Sequence, residues 1–154
     1  MIKYLLLTCI CSAFLISCNT KSDSTSEKQE TEKPVQGYEC FIYKAKKDSA
    51  FLHINLSDSI VTGELSYAFF EKDKNQGKIK GKMRGDTLLA NYTFSSEGME
   101  SRREVVFLKN GSGWTEGFGD VTETDSITTF KDLSKIKFDN GLDFKGLACP
   151  ESIQ

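Results

Sequence analysis

The sequence predicts an all-β domain, an antiparallel meander closing into a barrel of about eight strands. Three observations predict it. Short runs of alternating apolar and polar residues recur at spacings of about ten residues, each closed by turn-forming residues. No long stretch has the 3.6-residue periodicity of an amphipathic helix. Consecutive runs are linked by segments short enough for hairpins, which favours a barrel over a sandwich.

Taken in order, the runs are Tyr38 to Ala45, Ala50 to Leu56, Ile60 to Phe70 and Lys78 to Arg84, followed by Thr87 to Phe94, Ser101 to Lys109 and Trp114 to Thr122. Between them lie Lys46-Lys47-Asp48, Ser57-Asp58-Ser59, the charged loop 71–76, Gly85-Asp86, Ser95 to Gly98, and Asn110-Gly111-Ser112-Gly113. Asp, Asn, Ser and Gly tolerate or favour turn conformations, so the breaks have a local cause. An eighth run, Ser126 to Phe130, is shorter. The last stretch, Lys131 to Lys145, alternates less cleanly and reads as a helical turn and then a strand, expected to pack over one end of the barrel.

Alternation also sorts the faces, because successive side chains of a strand point to opposite sides. Val61, Gly63, Leu65, Tyr67 and Phe69 share one face of the third run, and Leu88, Ala90, Tyr92 and Phe94 share one face of the fifth; these line the core. In the fourth run Ile79, Gly81 and Met83 face in, leaving Lys78, Lys80, Lys82 and Arg84 as a solvated stripe that discourages edge pairing. With 20 basic against 22 acidic side chains and no long basic run, the chain has no electrostatic footprint for nucleic acid.

Residues 1–17 carry Lys3 and then an almost unbroken apolar stretch from Tyr4 to Ile16, the layout of a secretory signal peptide and too short to span a bilayer. It ends in Leu15-Ile16-Ser17-Cys18, which resembles the lipobox of bacterial lipoproteins. The resemblance implies that Cys18 is the lipid attachment site and becomes the acylated first residue after cleavage, anchoring the protein to a membrane. The expected location is the bacterial cell envelope, with the outer membrane, on its periplasmic or surface face, favoured; Asn19 gives no strong reason for inner-membrane retention, and sorting between the membranes stays open. Residues 19–34 contain no apolar side chain and form a disordered tether reaching on the order of 20 Å. The barrel domain then occupies residues 35–150.

Five cysteines divide accordingly. Cys9 and Cys11 leave with the signal peptide and Cys18 carries lipid. Cys40 and Cys149 remain as an even pair in an oxidising compartment, in the first run and the tail, which a closed meander would bring together as a structural disulfide.

Catalytic and metal motifs do not emerge. His53 is the single histidine, with no nucleophile or carboxylate motif around it, and reads as an ordinary strand residue. The segment 73–77 begins like a calcium loop but lacks the later oxygen ligands, so it reads as a turn. The domain is therefore expected to be non-enzymatic, with no cofactor and no metal. The informative hairpin runs through Asn110 to Gly113. It would set Lys109 opposite Trp114, Phe107 opposite Glu116, Val105 opposite Phe118 and Arg103 opposite Asp120, sending the Glu116 carboxylate inward, where it needs a partner such as Arg103. Arg103, Glu116, Trp114 and Tyr92 are the candidate ligand contacts. The alternative is an Arg–carboxylate network that plugs a filled barrel.

The meander resembles lipocalin-like barrels, which implies a small or apolar ligand. It departs from true lipocalins where Gly37-Tyr38-Glu39 stands in place of their Gly-x-Trp. It is also similar to small lysozyme-inhibitor lipoproteins in combining barrel, disulfide and lipobox, which implies an envelope protein as partner. Their Ser-Gly-x-x-Tyr loop is replaced by Ser112-Gly113-Trp114-Thr115-Glu116. Asp-Ser/Thr triplets beginning at Asp23, Asp48, Asp58, Asp86 and Asp125 resemble an O-glycosylation signal of exported proteins in some Gram-negative bacteria, and four of them also open strands as ordinary turn formers would.

Overall fold

The computed structural model describes residues 37–72, 74–96 and 98–150. The expected signal peptide, Cys18 and the expected tether, together with the Asp23 triplet and Asp73 of the calcium-like loop, lie outside the described residues.

Seven strands follow one another as hairpins: β1 (Glu39–Ala45), β2 (Asp48–Ser57), β3 (Ile60–Ala68), β4 (Asn75–Arg84), β5 (Thr87–Ser96), β6 (Met99–Asn110) and β7 (Gly113–Phe118). After β7 the chain makes a short hairpin, β8 (Val121–Thr124) and β9 (Ile127–Phe130), then a single 3-10 turn over Leu133–Lys135, and returns as β10 (Lys137–Leu147). The sheet order is β5-β4-β3-β2-β1-β10-β7-β6-β9-β8, and β5 also pairs with β6. That last pairing closes an eight-stranded antiparallel barrel from β1 to β7 and β10, with β8 and β9 outside the ring. The expected barrel is present.

Two details of the expected layout are corrected. The C-terminal stretch does not cover an end of the barrel; β10 is a stave inserted between β1 and β7, antiparallel to both. The reason is closure. A meander of seven strands leaves β1 and β7 with unpaired backbone groups, and one more antiparallel strand satisfies both edges. The run Trp114 to Thr122 is broken after Phe118, and the eighth run is not a stave but pairs with β8 and runs parallel to β6 through Arg102 and Arg103.

The tight turns have a common signature. Lys46, Asp58, Gly85, Gly111 and Asp125 each take a left-handed φ between 51° and 59° at the first of two turn residues. Such turns match the right-handed twist of the strands they join.

Antiparallel order separates the barrel's ends. Turn 46–47, Gly98 between β5 and β6, and the excursion after Phe118 gather at one end, here the mouth; turns 58–59, 85–86 and 111–112 gather at the other. The Cys40–Cys149 disulfide, with a Cα–Cα distance of 5.2 Å, joins β1 to the tail at this second end. The inward faces expected for β3 and β5 line the core, where Leu52, Leu65, Leu88, Tyr92 and Phe107 are completely buried. Toward the disulfide end the bore is filled by aromatic packing, with Phe107 edge-on to Phe144 at 5.7 Å and Phe41 edge-on to Trp114 at 6.4 Å. Lys78, Lys80, Lys82 and Arg84 are exposed on the outer face of β4, as expected.

Outside the ring, β10 shifts register between Lys137 and Leu142, and the displaced segment lays Ile136 and Phe138 over Gly117 of β7. A side chain at Gly117 would crowd the ends of both, so this second, smaller apolar contact favours glycine there.

Candidate ligand-binding site

The hairpin around Gly111-Ser112 sets Lys109 opposite Trp114 and Phe107 opposite Glu116, as its turn chemistry predicts. Pairing then stops at Val106 and Gly117. Val105 is not opposite Phe118, and Arg103 is not opposite Asp120; Arg103 is instead aligned with Thr128 of β9. The departure of β7 from β6 opens the barrel wall beside the mouth. Glu116, only 2% exposed, points into the bore just before the divergence.

Four polar residues from four strands meet there. Tyr67 on β3 donates its hydroxyl to Glu116 Oε1 at 2.7 Å. Arg103 on β6 places its guanidinium carbon 4.9 Å from the centre of the Tyr67 ring, 5.3 Å from that of Tyr92 and 5.8 Å from that of Phe94. Aromatic faces attract a cation in this arrangement, so the rings hold Arg103 in place. Tyr92 and Phe94 stack at 4.7 Å, and Tyr92 meets Tyr67 edge-on at 5.9 Å.

Burial dominates the electrostatics. Desolvation pushes the Glu116 carboxyl from 4.5 up to about 7, against the hydrogen bond from Tyr67 and the charge of Arg103, which both pull it down. The Tyr92 hydroxyl is pushed up to about 12, again chiefly by burial. Tyr67 is raised well above the usual phenol range by burial and then by the Glu116 charge. Three buried atoms of the cluster, Tyr92 Oη, Arg103 Nε and Glu116 Oε2, have no hydrogen-bond partner among the described residues. Polar atoms left this way are costly, so the cluster does not satisfy itself from within the protein.

A pocket of about 420 Å³ opens onto this cluster and is walled by Phe94, Arg103, Glu116, Phe118, Val121 and Phe130 among others. Its outer part is formed by the β8–β9 hairpin, which Glu104 fastens to β6 by accepting the Phe130 backbone N–H at 2.8 Å.

No protein-family model, no curated protein and no solved structure matches this chain.

Of the residues expected to contact a ligand, Arg103, Glu116 and Tyr92 come together, and two of them face the pocket directly. Trp114 does not join them: it lies at the start of β7, two residues nearer the disulfide end, packed against Phe41. Tyr67 and Phe94 were missed as site residues although alternation placed both on inward faces. Their signal was an aromatic near the mouth-side end of an inward row. His53 faces outward, packed against Tyr38 and Phe51. In the described Asp-Ser/Thr triplets the acidic residue serves the backbone: Asp48 accepts the Phe70 N–H, the Asp86 carbonyl accepts the Lys109 N–H, and Asp58 and Asp125 take left-handed turn positions. Among the described residues no group of three or more His, Cys, Asp or Glu is placed to hold a metal ion.

Proposed function

We propose that this protein is a lipid-anchored, non-enzymatic binding protein of the bacterial cell envelope, holding a small ligand at the mouth of its barrel. The anchor reading rests on the lipobox-like Leu15-Ile16-Ser17-Cys18 and the polar segment after it. The binding reading rests on one observation: Arg103 and Glu116, each with an unpartnered buried polar atom, line a pocket of a size that suits a small molecule. A network serving only to plug the bore would be expected to satisfy its own atoms. Apolar packing already fills the disulfide end, so a ligand is expected at the polar mouth and not along the whole bore.

The test is native mass spectrometry of the full chain extracted from envelope membranes in detergent. A small molecule that stays with the folded chain and leaves on denaturation supports the reading; a chain that is always free of one counts against it. In the same sample a diacylglyceryl mass on Cys18, lost in Cys18→Ala together with membrane association, tests the anchor.

A second reading, an envelope protein-interaction module, is favoured by Phe70, Met99, Phe118, Val121 and Ile127, which are exposed at the mouth end. Recovery of one cross-linked envelope protein, abolished by Met99→Asp and Phe118→Asp, would support it.

A further inference from the structure

The mouth cluster also bears on the class of ligand, an inference that rests on the ligand-binding reading above. Of the three unpartnered atoms, Arg103 Nε is an obligate donor and Tyr92 Oη carries a proton to donate. Glu116 Oε2 accepts when ionised and donates when protonated, since Oε1 is already engaged by Tyr67. The site therefore has a surplus of donors, and with Glu116 protonated it carries the single positive charge of Arg103. A cationic guest is disfavoured because Arg103 already occupies the aromatic faces of Tyr67, Tyr92 and Phe94. A doubly charged anion is disfavoured by Glu104, Glu123 and Asp125, which line the outer part of the pocket and outnumber Arg102 there.

We propose that the mouth binds a small monocarboxylic acid, its carboxylate received by Arg103 beside Glu116, its apolar body lying against Phe94, Phe118 and Phe130. A carboxylate and an arginine form strong charge-assisted hydrogen bonds where water is excluded. The guest's negative charge next to Glu116 requires that residue to hold its proton. Burial places its titration at about 7, so binding couples to pH in the neutral range. The groups that face Glu116 are Tyr67 from β3, Tyr92 from β5 and Arg103 from β6. Leu142, its partner on β10, brings no charge.

The experiment is calorimetric titration of the full chain in detergent with three probes of matched body: 4-phenylbutyrate, 4-phenylbutanol and 4-phenylbutylamine. At pH 6 the acid is expected to bind about tenfold more tightly than the alcohol, and the amine not at all. Raising the pH to 8, where the probe's own charge is unchanged, is expected to weaken the acid by about tenfold. Glu116→Gln, which keeps the shape and stays neutral, should remove that pH dependence. The acid class is overturned if the alcohol or amine binds as well as the acid, or if acid binding ignores both pH and Glu116→Gln. Those results leave a ligand-binding protein of another class, as does a natural ligand on the extracted chain when no probe binds. If no probe binds and the extracted chain carries nothing, the ligand-binding reading falls with it.

Discussion

The Tyr67 hydroxyl and the Glu116 carboxylate are joined across the bore of the barrel at 2.7 Å. β3 and β7, which carry them, are diametrically opposed: β2, β1 and β10 separate them on one side, β4, β5 and β6 on the other. The bond thus ties two walls that share no backbone pairing. It also fixes which carboxylate oxygen stays free.

Tyr67→Phe removes this tie and leaves the buried Glu116 Oε1 without its donor, so a loss of about 1–3 kcal/mol is expected. Urea unfolding at pH 7 checks it. The loss should grow at pH 8, where Glu116 is more fully ionised, and a variant as stable as the parent at both values would show that the bond contributes nothing.

Glu116 makes stability depend on pH with a definite sign. Its carboxyl titrates at about 7 when folded against 4.5 in the unfolded chain, so the folded state binds more protons between those values. Stability from this group is complete below 4.5, falls as pH rises and is lost above 7. The full change is on the order of 3 kcal/mol. Unfolding free energies measured from pH 4 to pH 8 should decline across the window, and Glu116→Gln should flatten the decline. A parent curve that rises across it would contradict the assignment.

The Cys40–Cys149 bond closes a sequence separation of 109 residues and holds β1 to the end of β10. Replacing both cysteines by alanine is expected to cost about 2–5 kcal/mol, with the chain-entropy account near the upper part of that range. Thermal unfolding with and without reductant gives the comparison, and the double variant should show no further response to reductant.

Glycines at inward positions allow the strands to coil tightly. A Cβ at Gly63 would overlap the backbone carbonyl oxygen of His53 on the neighbouring strand, which has no room to retreat. Gly63→Ala is therefore expected to cost about 3 kcal/mol or more, or to prevent folding. At Gly117 the overlap is with the ends of Phe138 and Ile136, which can shift, so Gly117→Ala should cost less, about 1–2 kcal/mol. Equal costs at the two sites would refute the distinction between backbone and side-chain obstruction.

The sequence by itself determined what depends on near neighbours. Alternation located most strands and their inward rows, and turn residues set the hairpins, including the register that pairs Phe107 with Glu116. Cysteine accounting paired Cys40 with Cys149. Tertiary structure alone decided what depends on distant ones. A period of two states which way a side chain faces but not what faces it across the bore, so Arg103 and Glu116 were legible as inward charges while Tyr67 was not legible as their partner. Nor does it state which strand takes an open edge. The β10 strand closes the barrel because β1 and β7 each present unpaired N–H and C=O groups, and β6 exchanges β7 for β9 beyond Val106. That exchange makes the pocket. It is the joint result of closing one ring and fastening a hairpin outside it, which no local pattern encodes.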